Sequence, residues 1–299
     1  MNRNWEVRTL RERQLVGLRG LEAATALLRR IRRSHPTDGL HEAADLQWWW
    51  RTPRSTDKMP QIFWFDHLDR PEAAVIATDW GDGISLDPYV MPEAGPRWKV
   101  QVIERGLAHA HECDLTNVEF EVDLADTAMR ELLVSRGFEP REAGVVETWL
   151  DVEARPVVAP LHHGYRLTNR LANKHVPHHM VKRSGAEVEM RLLQTSLYRP
   201  ELDLLVLDDR ESVAAYGLFW YDPETATGLV EPMRTEDEHQ RLGLARHLLA
   251  AGISRLADAG AERIKICFKP NHAPSRHLYL STGFEPIRET VVFAGRTNP

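Results

Sequence analysis

Cysteine is scarce in this 299-residue chain: Cys113 and Cys267 are the two it has. They are too few for a disulfide framework or a four-cysteine metal site. A reducing cytoplasm is therefore the expected compartment. No apolar run approaches the roughly 18 residues of a membrane span. Met1 to Glu6 has neither an apolar core nor a cleavage-like site, so no signal peptide is expected. Positive charge is not in excess either. The chain carries 38 Lys and Arg against 44 Asp and Glu, a formal net charge of −6. That excludes a global basic field for a phosphate backbone, and nucleic acid is not an expected partner. There is no Walker loop and no G-x-G-x-x-G, which removes support for nucleotide hydrolysis and dinucleotide binding. What is present is ordinary globular composition, 42% hydrophobic and 27% charged.

The chain also contains itself twice. Leu132-Leu133-Val134-Ser135-Arg136-Gly137-Phe138-Glu139-Pro140 reads like Leu278-Tyr279-Leu280-Ser281-Thr282-Gly283-Phe284-Glu285-Pro286, at an offset of 146. The same offset, without a gap, pairs Val118, Phe120 and Val122 with Ile264, Ile266 and Phe268, and Gly106 with Gly252. A helix, an alternating strand and a second helix kept in one register imply a duplicated domain. The boundary is placed at Arg155–Pro160, whose two prolines favour an extended linker. Domains are thus expected at 1–154 and 155–299.

In the second copy the patterns predict short strands near Gly164–Leu167 and Leu202–Leu207, then a return strand Ser212–Tyr221 and a further strand Thr227–Thr235. Polar helical material, broken by Pro177, is expected over 169–196. A long helix, Arg241–Ala259, stops at Gly260. Strand Arg263–Phe268, helix Pro274–Ser281 and strand Thr290–Phe293 complete a mixed α/β layer.

Gln240-Arg241-Leu242-Gly243-Leu244-Ala245 joins a strand to the long helix. Unpaired N–H groups and the positive dipole end at a helix start suit a pyrophosphate. Gly243 removes the side chain where phosphates approach the backbone. An ordinary strand–helix turn needing a glycine is the alternative. By strand alternation Glu231, Met233 and Thr235 share one face.

Strand, Gln-x-x-Gly-x-Ala, long helix, strand, Asn271, and a helix carrying Tyr279 before Gly283-Phe284: this order resembles the GNAT superfamily of N-acetyltransferases, over about residues 164–294. The resemblance implies an α/β tandem GNAT fold, two mixed-sheet domains with helices on both faces. It further implies acetyl-CoA as cosubstrate, held where the strands Thr227–Thr235 and Arg263–Phe268 splay apart. Gln240, Gly243 and Ala245 match the family loop, which lays backbone N–H groups from Arg241, Leu242, Gly243, Leu244 and Ala245 on the pyrophosphate. Met233, Arg234 and Thr235 would pair their backbone with the pantetheine arm, and Asn271 would also meet the cofactor. The stretch from Asn271 to Tyr279 is one residue longer than is common in the family. Tyr279 would protonate the departing thiolate, and Glu231 would accept the amine proton through water. A core tyrosine, and a carboxylate that only binds a cationic substrate, are the alternatives. The acceptor implied is a primary amine of a small molecule or peptide.

At the matching positions the first copy has Ala94, Arg97 and Lys99 for Gln240, Gly243 and Ala245, and Leu133 for Tyr279. Pro96 removes an N–H as well. This copy is expected to keep the fold without the cofactor site, covering a sheet edge and shaping the acceptor cleft. Trp48-Trp49-Trp50 and Phe63-Trp64-Phe65 are expected in packing. His175, His178 and His179 lack further ligands at metal spacing, so no metal is expected, and they are placed at the acceptor entrance. Leu28–Arg33 is read as a solvated basic helix end. A monomer is preferred, because a tandem pair can bury internally what single-domain relatives bury in a dimer. A non-catalytic acetyl-CoA- or CoA-binding protein and a scaffold with both copies inactive remain rival readings. A mycothiol synthase-like activity is one specific case of the enzyme reading.

Overall fold

The computed structural model describes residues 10–297; the leader reading at Met1–Glu6 lies outside them. The elements in chain order are β1 (Arg11–Leu15), α1 (Leu18–Ser34), α2 (Ala43–Trp49), β2 (Gln61–Phe65), β3 (Pro71–Asp79), β4 (Ile84–Val90), α3 (Pro96–Glu112), β5 (Asn117–Asp123), α4 (Thr127–Ser135) and β6 (Glu139–Asp151). They continue with β7 (Arg166–Asn169), α5 (Val181–Ser184), α6 (Val188–Leu193), β8 (Asp203–Leu207), β9 (Val213–Asp222), β10 (Thr227–Thr235), α7 (Leu244–Ala259), β11 (Arg263–Phe268), α8 (Ala273–Ser281) and β12 (Glu285–Arg296). Among the described residues no helix is long and apolar enough to cross a membrane.

The chain divides into two compact units, and not at a single cut. Of the described residues, unit 1 holds 10–43, Pro53–Gly144 and 290–297; unit 2 holds Ala44–Thr52 and Val145–Glu289. The boundary expected at 154/155 therefore falls inside unit 2. Each unit is a mixed sheet with one parallel pair. In unit 1 the order is β1-β2-β3-β4-β5, closed by β12 antiparallel to β5 from Thr290↔Asp123 to Arg296↔Asn117. In unit 2 it is β7-β8-β9-β10-β11, closed by β6 antiparallel to β11 from Arg263↔Asp151 to Phe268↔Val146. The sixth place in each sheet is filled from the other repeat. Covering β11 satisfies the N–H and C=O groups of an otherwise open edge.

The repeat is visible element by element. Shifted by 146, α4 falls on α8, and β5 starts where β11 starts. Both of those helices are capped by the side chain just before them: Asp126 accepts from the Met129 N–H and His272 from the Ser275 N–H. Gly137 and Gly283 close them at φ 79° and 103°, a left-handed turn that favours glycine.

Unit 2's core packs α7 on the sheet through Leu244, Leu248, Leu249, Ile253 and Leu256, the stripe its sequence period predicts. Unit 1's core gathers Ile62, Trp64, Val75, Phe120, Leu133 and Phe138. Trp48 and the Phe63-Trp64-Phe65 run are buried, as packing requires. The basic stretch on α1 departs from expectation. Arg32 is buried and its Nε donates to Glu42 Oε2 at 3.0 Å, so only part of that helix end is solvated.

Candidate active site

The site is built where two strands part. β10 and β11 pair in parallel only from Thr227↔Arg263 to Leu229↔Lys265. On its other side β10 stays paired with β9 through Thr235↔Ala215, so Met233–Thr235 keep one backbone edge turned toward the gap. A bulge between Val230 and Met233 adds one residue to β10. The extra residue overturns the expected alternation. Met233 returns to the face of Val230 and packs on the core, while Glu231 stays on the face of Leu229 and Lys265.

Beyond β10 the chain turns through Arg241 at φ 64° and Gly243 at φ 75° into α7. Gly243 is the N-cap and supplies no side-chain acceptor, so the first N–H groups of α7 stay open to a ligand. α7 thus starts three residues later than the expected Arg241, because these left-handed residues hold the loop. Met233, Arg234, Thr235, Gln240, Arg241, Gly243, Leu244, Ala245 and Tyr279 all line one cavity of about 640 Å³. Leu242 and Asn271 do not: Leu242 packs on the core and Asn271 is exposed. The longer run from Asn271 to Tyr279 leaves His272, not Asn271, capping α8 and lining the cavity. His239, Arg246, Ser275 and His277 also line it, and no sequence motif singled them out.

Tyr279 is buried, its ring between Phe268 and Phe284 at centroid distances of 6.2 and 6.3 Å. Among the described residues nothing hydrogen-bonds its hydroxyl. Burial, then the charges of Glu231 and Cys267, raise its phenol above the usual value, so it remains a proton donor. The Thr235 hydroxyl is likewise buried without a partner among the described residues.

Glu231 does not line that cavity. It is half-buried, its backbone carbonyl accepts from Trp220 Nε1 at 2.7 Å, and its side chain hydrogen-bonds Asp45. Lys265 Nζ lies 3.6 Å from Asp45 Oδ2 and 4.0 Å from Glu147 Oε2. Burial first, then Asp45, push the Glu231 carboxyl up to about 8, against the pull of Arg51 and Lys265.

Residues 167–284 match the model of the acetyltransferase (GNAT) family. They are a GNAT acetyltransferase domain. No curated protein matches the chain. Among solved structures, a tandem GNAT protein from the clavulanic acid biosynthesis pathway is 13% identical, with 97% of this chain and 99% of that one covered and a TM-score of 0.71. A GCN5-related N-acetyltransferase from Sphaerobacter thermophilus is 14% identical, with 97% and 96% covered and a TM-score of 0.63. A putative acetyltransferase from Pyrococcus horikoshii is 13% identical, with 99% and 92% covered and a TM-score of 0.54. At these identities the likeness is one of fold.

In the GNAT domain the segment 169–196 is mostly turns with two short helices, pinned by a buried polar network rather than helical throughout. Arg170 Nε donates to Glu189 Oε1 at 2.8 Å. His178 and His179 are not at an open entrance. His178 is buried, His179 stacks on it at 4.3 Å, and only His175 is exposed. His178, His179 and Asp203 bring ligand-type atoms within 4.8 Å of one another. Hydrogen bonds occupy His178 and Asp203 Oδ2, while both His179 ring nitrogens and Asp203 Oδ1 are buried without a hydrogen-bond partner among the described residues. His178 Nδ1 accepts from the Met180 N–H, which leaves the proton on Nε2 to donate to Asp203 Oδ2 at 3.0 Å. Tyr198 donates to the same oxygen at 2.8 Å. Burial holds His179 down to about 4, so it is neutral at pH 7.

Unit 1 differs where the GNAT domain opens. α3 starts at Gly95-Pro96, two residues ahead of the register of α7, and the Trp98 and Lys99 N–H groups return to Gly95 O. Trp98 packs edge-on to Trp64 at 5.6 Å, and Leu133, in the place of Tyr279, is fully buried.

Proposed function

We propose that the GNAT domain transfers an acetyl group from acetyl-CoA directly to a primary amine of a small molecule or peptide. One observation carries this reading. The edge of Met233–Thr235, the uncapped start of α7 and the unpartnered Tyr279 hydroxyl all face a single cavity. These groups fit the cosubstrate by chemistry. Open N–H donors at a helix start suit phosphate oxygens, a strand edge suits the amides of the pantetheine arm, and Thr235 offers a buried hydroxyl. Acetyl-CoA supplies the reactive thioester. Leu244 to Arg246 hold the phosphates at the start of α7, and the parted strands orient the thioester. Tyr279 gives its proton to the leaving sulfur, and Glu231 takes one from the amine.

Release of free thiol from acetyl-CoA, followed across a panel of primary amines, tests the reading. Turnover with at least one amine, lost in Tyr279→Phe with cofactor binding kept, supports it. Tight cofactor binding with no thiol release from any amine favours the regulatory binding protein instead.

A further inference from the structure

Asp45 comes from the first half of the chain, yet belongs to unit 2. The segment carrying it is firmly held there. The Leu197 N–H donates to Gln47 Oε1 at 2.8 Å, Trp50 Nε1 donates to Gln194 Oε1 at 2.9 Å, and the Arg191 guanidinium lies 4.0 Å from the Trp50 ring centroid. This brings a buried aspartate against Glu231. Two carboxyl groups in hydrogen-bond contact cannot both be ionised cheaply.

The surrounding charges do not remove the conflict. Lys265 is shared between Asp45 and Glu147. Glu147 also receives Arg288 Nη1 at 2.9 Å and Trp149 Nε1 at 2.6 Å. Arg51 acts on Glu231 from a position with its guanidinium 3.5 Å from the Trp48 ring centroid. Tyr279 and Cys267, both raised by burial, sense the Glu231 charge from the far side.

We propose that Asp45 and Glu231 hold one proton between them, and that this pair is the group that receives the acceptor as an ammonium ion. The second half rests on the acetyl-transfer reading. An arriving ammonium charge displaces the shared proton to solvent. The Glu231 carboxylate then takes one proton from the ammonium, and the neutral amine forms its C–N bond at the thioester carbonyl as the C–S bond breaks. The sulfur takes the Tyr279 proton, and the second N–H proton returns to the tyrosinate. The proton taken by Glu231 stays on the pair as its shared proton, so the cycle closes with one proton per turnover, the one displaced on binding, released to solvent. An alkylammonium titrates near 10, so a carboxyl with a raised pKa is a better-matched acceptor than an ordinary glutamate.

The test uses the full chain without cofactor, with 13C-labelled Asp and Glu carboxyls followed by NMR against pH. One carboxyl is expected to titrate near 8, to vanish in Glu231→Gln and to move to lower pH in Asp45→Asn. An ordinary titration for every carboxyl, or a signal that Asp45→Asn leaves in place, overturns the shared proton. If Asp45→Asn does not fold, Asp45→Glu serves: keeping the charge must keep the raised titration. Butylammonium should lower this titration and butanol should not; equal effects overturn the ammonium half. Acetyl-CoA calorimetry on the same sample tests the acetyl-transfer reading separately, so the two can fail independently.

Discussion

Gly252 on α7 faces the ring of Phe219 on β9 so closely that a Cβ there would stand 2.0 Å from Phe219 Cε1. Gly106 meets Val75 in the corresponding place of unit 1, at 2.8 Å from Cγ2. Both glycines let a helix lie close on its sheet. Phe219 is fully packed and has nowhere to turn. Gly252→Ala is therefore expected to cost about 1–3 kcal/mol or more by overpacking. Gly106→Ala should cost less, since its methyl contact is looser. Urea unfolding of the two variants checks the order.

The free hydroxyl of Tyr279 separates catalysis from stability. Tyr279→Phe breaks no hydrogen bond within the described residues, so stability should fall by no more than about 1 kcal/mol. Thiol release with a competent amine should fall by roughly 100-fold or more. An equal loss of both would mean a packing role.

Glu231 should also be visible in stability against pH. Its folded carboxyl lies near 8, above the ordinary 4.5. The folded state keeps a proton that the unfolded chain releases, so this group costs stability as pH rises from about 4.5 to 8. Glu231→Gln should flatten the fall of Tm over that window. Asp87, raised to about 7 mainly by burial, adds a slope of the same sign that Glu231→Gln leaves intact. A wild-type Tm profile unchanged by Glu231→Gln would contradict the assignment.

Much of the site was legible because its signals are local. Gly260 announced the end of α7, and the repeated Gly-Phe-Glu-Pro announced the two short helices. What the sequence did not show is non-local or depends on one inserted residue. The exchange of β6 and β12 follows from pairing, which no local pattern encodes. Asp45 sits in a short, unremarkable helix whose partners lie more than a hundred residues away. Strand alternation put Glu231 and Met233 on one face, and only the register with β9 shows that they part to opposite faces. The segment 169–196 read as helix because its polar spacing allows one. Its part-buried Arg170–Glu189 and buried His178–Asp203 contacts fix turns instead.

Gly243 carries the most direct test. No atom lies within 4 Å of where its Cβ would stand, so a side chain there meets backbone strain at φ 75° and whatever ligand the loop holds. Calorimetric titration of the full chain with acetyl-CoA should give one site per chain, abolished by Gly243→Glu in a folded sample. No binding to the wild type, or binding that survives Gly243→Glu, would contradict a cofactor site at the start of α7. Two sites per chain would contradict the closed loop of unit 1.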